Sequence, residues 1–194
     1  MFVSCQKKQT EDERIATPEQ LSNKLTVADA KSYLQRLESK YGNYDLIKKA
    51  GKVEKNVKQV DFSHAYIGEN ETSFFVEAPI AYTTREVVLG TNSGMPNATL
   101  NQLFKSSFDR FVVYKDKKSG LVNEKIVTVI PSAHYLSNSR KDLYDNHYQR
   151  IDKEFSGYIS YRNWKGQFLS SQSFNMGKAA ADKGGASNRA IHRQ

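Results

Sequence analysis

The sequence predicts an α+β fold, in which one N-terminal helix packs on a curved antiparallel sheet of about six strands built from hairpins. Three observations predict it. Apolar residues from 25 to 41 recur at helical spacing, later β-branched and aromatic runs come in pairs around turn residues, and a chain of 194 residues suits one domain of ordinary size. Aromatic residues make up 11% of the chain, which supplies the large side chains that a disordered chain of similar polarity lacks.

Residues 1–24 read as a polar tether, because they show no apolar periodicity. Thr26 then fits a helix N-cap with Asp29 three residues on, and Ala30, Tyr33, Leu34, Leu37 and Tyr41 share one face until Gly42 closes the run. Residues 43–57, lysine-rich against Asp45 and Glu54, read as a surface connection or a short second helix. Phe62, His64 and Tyr66 alternate as a strand, Gly68-Glu69-Asn70 supply a turn, and residues 73–78 form the return strand. Pro79 has no N–H for a ladder, so this strand is expected to end there or to lie at an edge. Residues 84–89 read as a further strand before a turn-rich loop at 90–97, and Leu100, Leu103, Phe104 and Phe108 fit a helical stripe or the start of a strand equally well.

The second hairpin joins residues 110–114 to 121–130 through the charged turn Lys115-Asp116-Lys117-Lys118-Ser119-Gly120. Residues 126–130 (Ile-Val-Thr-Val-Ile) are apolar on both faces, which predicts a central strand covered on two sides. Residues 132–154 leave room for a short helix. A third hairpin pairs 157–162 with 167–174 around Asn163-Trp164-Lys165-Gly166. The α+β domain is expected over 25–176, with a flexible basic tail at 177–194.

No run of about 18 apolar residues exists, which excludes a spanning helix. Cys5 is the only cysteine, so neither an internal disulfide nor a cysteine-based zinc site can form within the chain. The net charge of +8 lies entirely in the second half, where residues 98–194 carry 16 Lys and Arg against 8 Asp and Glu. Such a surplus suits nucleic acid, an anionic membrane or an acidic partner, and otherwise reads as a solvated face. Arg140, Lys141, Arg150, Lys153, Arg162 and Lys165 are the candidate anion-binding residues of a cytoplasmic module holding RNA or DNA.

Chemistry is sparse. His64, His134, His147 and His192 stand too far apart in sequence for a local metal pair, and no nucleophile elbow, Walker loop or dinucleotide fingerprint occurs, so no catalytic residue, metal or cofactor is expected. A weaker hydrolase reading uses the one acid-and-histidine cluster, Asp142, Asp145, His147 and Asp152. Trp164, with Tyr158 and Tyr161 nearby, is a candidate aromatic platform for a glycan or an unpaired base, since a turn is expected to expose it. Aromatic residues in strands otherwise serve as core or cross-strand pairs.

Phe2-Val3-Ser4-Cys5, followed by the polar tether, resembles a bacterial lipobox, which implies a diacylglycerol on the Cys5 sulfur. A signal peptide needs a basic segment and about 7 to 15 apolar residues before the cleavage site. Only Met1 to Ser4 precede Cys5, so export is expected from a start upstream, and a cytoplasmic address without one. Residues 25–41, Phe111-Val-Val-Tyr-Lys-Asp-Lys-Lys-Ser-Gly120, Ile126-Val-Thr-Val-Ile-Pro131 and Asp152-Lys-Glu-Phe-Ser-Gly-Tyr-Ile-Ser-Tyr161 resemble a group of Bacteroidota envelope lipoproteins with no established activity. The resemblance implies a cell-envelope address, a membrane anchor through lipid, and a non-enzymatic module with a protein or glycan partner.

Overall fold

The computed structural model describes residues 24–84, 105–138 and 143–179. Helix α1 (Val27–Tyr41) starts where the sequence predicts. The Thr26 hydroxyl accepts from the Asp29 N–H at 3.2 Å, and the Asp29 carboxylate accepts from the Thr26 N–H at 2.9 Å. This reciprocal cap satisfies donors that a helix start otherwise leaves unpaired. Gly42 ends the helix at φ +79°, a backbone state that penalises a Cβ, and its N–H donates to the Glu38 carbonyl at 2.8 Å. Ala30, Tyr33, Leu34 and Leu37 form the buried stripe.

The described residues hold nine strands in one antiparallel sheet: β1 (Tyr44–Lys49), β2 (Lys52–Val60), β3 (Tyr66–Glu69), β4 (Ser73–Tyr82), β5 (Phe108–Asp116), β6 (Val122–Pro131), β7 (Gly157–Arg162), β8 (Phe168–Asn175) and β9 (Lys178–Ala179). Their order is β1-β2-β4-β5-β6-β7-β8-β9, with β3 also paired to β4. The antiparallel sheet and its N-terminal helix match expectation, but the strand number does not. Residues 43–57, read as a connection or a second helix, instead build β1 and most of β2, and the start of the expected tail adds β9 against Phe174 and Asn175. The strand expected at 84–89, the loop after it, the tether through residue 23 and the tail from 180 lie outside the described residues, apart from Thr84.

β2 and β3 share one edge of β4. Val60 pairs with Ile80 and Tyr66 with Glu77, and between them Phe62–His64 leave the sheet as a 3₁₀ turn that the Asp61 carboxylate caps at the Ser63 N–H, 2.9 Å away. The interruption falls at Pro79. Its carbonyl accepts from the Asp61 N–H at 2.9 Å, while its ring nitrogen has no hydrogen to donate in return. β4 therefore neither stops at Pro79 nor becomes an edge, as the sequence suggested, because its neighbour is broken where the donor is missing. For the same reason Phe62 and His64 sit in a turn rather than in the predicted strand.

Alternation along the strands sorts the core into two layers. One sheet face sets Val76, Ile80, Phe111, Val113, Val122 and Ile126 against α1. The other sets Phe75, Phe108, Val112, Val127, Val129 and Ile159 against Tyr135, Tyr148 and Phe155. These last three belong to the crossing from β6 to β7, which holds helix α2 (Ala133–Asn138) and a 3₁₀ turn at Leu143–Asp145. Residues 126–130 are buried on both faces, as their unbroken apolar run predicts.

Candidate functional site

Trp164 is 1% exposed, although its place in a turn predicts exposure. The β7–β8 turn folds its indole back toward the end of α1. Nε1–H donates to the Gly42 carbonyl at 2.9 Å, the ring meets Phe111 edge-on with centroids 5.3 Å apart, and Lys58 Nζ lies 4.3 Å from the indole centroid. Burial of so large an apolar surface outweighs the polarity usual in a turn. Tyr158 is exposed and Tyr161 half-buried, and as residues three apart in one strand they point to opposite faces. The structure does not bring the three expected aromatic residues together.

The expected cations are divided too. Arg162 is buried on the α1 side of the sheet, where it donates to Asp109 Oδ1 at 3.2 Å and to the Tyr82 hydroxyl at 3.3 Å. Burial opposes the Arg162 charge, but the Tyr82 hydroxyl and the Asp109 carboxylate beside it offset this and its pKa is raised. Arg150 is exposed on the other side and donates to the Tyr66 hydroxyl at 2.9 Å. Lys153 is exposed, and Lys165 Nζ lies 5.0 Å from the Tyr41 ring centroid. Cys5, Arg140 and Lys141 are outside the described residues.

Among the described residues, the carboxylate at His147 is neither Asp145 nor Asp152. The His147 Nδ1 contacts Glu77, a fully buried residue of β4 that also binds Arg110 Nη1 at 2.6 Å and accepts from the Tyr148 N–H at 2.7 Å. Arg110 donates further to the Tyr144 carbonyl, and the His147 ring stacks on Tyr66 with centroids 3.9 Å apart. Asp152 accepts from the Tyr135 hydroxyl at 3.2 Å, Asp145 is exposed, and Asp142 is outside the described residues. The Glu77 cluster thus fastens residues 143–150 to the sheet. A cavity of about 320 Å³ at the adjoining ends of β4 and β5 is lined by Tyr82, Asp109, Arg110 and Tyr144, all held in these same contacts. Among the described residues no three His, Cys, Asp or Glu gather as a metal site.

The β1–β2 hairpin, which the sequence reading did not anticipate, has an unusual distribution of side chains. Its ladder runs from Tyr44 opposite Val57 to Lys49 opposite Lys52 and closes on Ala50-Gly51, both at positive φ (+48° and +80°), the signature of a tight two-residue turn. Residues directly opposite share a side. One side carries Asp45, Ile47, Asn56 and Lys58, turned inward, and toward the tip the exposed Glu54, Lys49 and Lys52: Lys58 Nζ binds Asp45 Oδ1 at 2.7 Å and the Trp164 carbonyl, and Asn56 Oδ1 accepts from the Thr84 N–H at 2.8 Å. Desolvation lowers the Lys58 pKa, and Asp45 opposes that shift.

The other side carries Tyr44, Leu46, Lys48, Val53, Lys55 and Val57, with Leu46 67%, Val53 61% and Val57 38% exposed. Asn56 and Lys58 are buried inside beside Ile47, while Leu46, Val53 and Val57 are outside. Comparison with protein-family models, with curated proteins and with solved structures finds no match to this chain. Geometry therefore carries the functional reading. Single exposed aliphatic residues are ordinary, but three together on the outer side of a ribbon whose inner side buries a lysine and an asparagine form the kind of patch that marks an interaction surface.

Proposed function

We propose that the chain is a non-enzymatic binding module, lipid-anchored in the cell envelope through Cys5, with the outer side of β1–β2 as its contact surface. The observation that carries the contact surface is the reversed burial of that hairpin, with Lys58 2% and Asn56 3% exposed while Leu46 and Val53 face solvent. The anchor is supported by the lipobox-like Phe2-Val3-Ser4-Cys5, by the polar tether after it, and by the resemblance of residues 25–41, 111–120, 126–131 and 152–161 to envelope lipoproteins. Each buried methylene of an acyl chain contributes about 0.8 kcal/mol, so attachment through two or more chains holds a domain stably at a bilayer. The nucleic-acid alternative loses one of its six cations, because Arg162 is enclosed beside Asp109.

Expression of the gene with its native upstream region, followed by cell fractionation and mass spectrometry of the first peptide, tests the anchor. The expected product is in the membrane fraction with an acylated Cys5. A soluble product with a free thiol overturns the envelope address.

A further inference from the structure

We infer that the partner of the outer side of β1–β2 is the surface of an anionic phospholipid bilayer; this rests on reading that side as a contact surface and is independent of acylation at Cys5. Lys48 and Lys55 are interleaved with Leu46, Val53 and Val57 on that side, and no acidic residue shares it. Lys55 Nζ also lies 4.4 Å from the centroid of Tyr44, an amphipathic ring suited to the headgroup level. An anionic surface attracts each nearby lysine.

The residue types separate a bilayer from a protein partner. Protein interfaces are enriched in Arg and Trp and depleted in Lys, whereas the outer side carries Lys48 and Lys55 and neither Arg nor Trp. Lysine stems can lie along aliphatic side chains with their ammonium groups at the phosphates, while Leu46 and Val53 reach the acyl boundary. Lysine on an edge strand also blocks unwanted strand addition. That role gives no reason for Leu46 and Val53 beside it.

The test uses the full chain carrying Cys5→Ser, so that no lipid is attached, in flotation with phosphatidylcholine vesicles containing none or about 30% phosphatidylglycerol. The protein should float with the anionic vesicles alone, and release at about 0.5 M salt. Leu46→Ser with Val53→Ser should weaken flotation at least about tenfold, with unchanged circular dichroism showing that the fold is kept. Lys48→Gln with Lys55→Gln should weaken it comparably. Absence of flotation by the folded chain, equal flotation with neutral vesicles, or flotation indifferent to both pairs of changes overturns the inference. A dimer that forms without vesicles and dissolves on the Leu46 and Val53 changes, in a chain that does not float, assigns the surface to a second copy: the bilayer inference fails and the contact-surface reading stands. Neither flotation nor association ends both.

Discussion

Glu77 has two hydrogen-bond donors and an imidazole on one buried carboxylate, so removing its charge leaves the Arg110 guanidinium enclosed without an opposite charge. Glu77→Gln is expected to lower stability by about 3–5 kcal/mol. Urea denaturation should show an earlier midpoint at an unchanged slope, and Glu77→Gln combined with Arg110→Met should recover a large part of the loss, because a neutral pair no longer strands a cation. Trp164 is the chain's one tryptophan and so reports its own surroundings. Its emission should be blue-shifted and protected from iodide; red-shifted, freely quenched emission would contradict its place beside Gly42 and Phe111. Asp61 offers a pH test: the Ser63 hydroxyl, His64 and the Ser63 N–H hold its carboxyl at about 2 instead of 3.8. A folded-state pKa below the unfolded value means that the capped turn is fully supported above the ordinary carboxylate range and loses that support as acid is added through the lower value. An NMR titration of the Ser63 amide should therefore have its midpoint near 2, and a midpoint near 3.8 would contradict the capping.

At the level of elements, the β1–β2 turn places Ala50 at φ +48°, where an L-residue with a Cβ is held at a cost of roughly 1 kcal/mol. Ala50→Asn, a residue favoured in this turn type, should stabilise the protein by about 1 kcal/mol, measured as a raised urea midpoint; a lowered one would contradict the turn geometry. The same turn explains why this hairpin was hard to read from the sequence. Ala-Gly lacks the Asn-Gly signal, and the strands alternate with Leu46 and Val53 outside and Lys58 inside, the reverse of the pattern by which a half-buried strand is recognised. Helix α1 was legible because Thr26, Asp29 and Gly42 state its ends locally, and the β5–β6 and β7–β8 hairpins because Gly, Asn and Lys mark their turns. Glu77 as the partner of His147 was not legible, since 70 positions separate them and neither carries a local spacing motif. Trp164 was misread for a similar reason: Gly42, Lys58 and Phe111 reach it from three distant elements.

Across the whole molecule, the hairpin is attached more lightly than the centre of the sheet. β2 meets β4 through Lys58–Tyr82, Gln59–Ala81 and Val60–Ile80, whereas β5 and β6 are paired from Phe108–Val129 to Lys115–Val122 and covered on both faces. Hydrogen exchange should therefore release the amides of residues 46–55 well before those of β5 and β6. Simultaneous exchange of both regions would show that the hairpin opens only with the whole sheet. The centre also contains a safeguard against mispairing. Asp109 and Arg110 are consecutive in β5 yet serve opposite faces, Asp109 meeting Arg162 and Arg110 meeting Glu77. A slip of β5 by a single residue exchanges the two sides, presenting carboxylate to carboxylate on one and guanidinium to guanidinium on the other. Two adjacent side chains thereby proofread the alignment of three strands, since every one-step error meets repulsion above and below the sheet together.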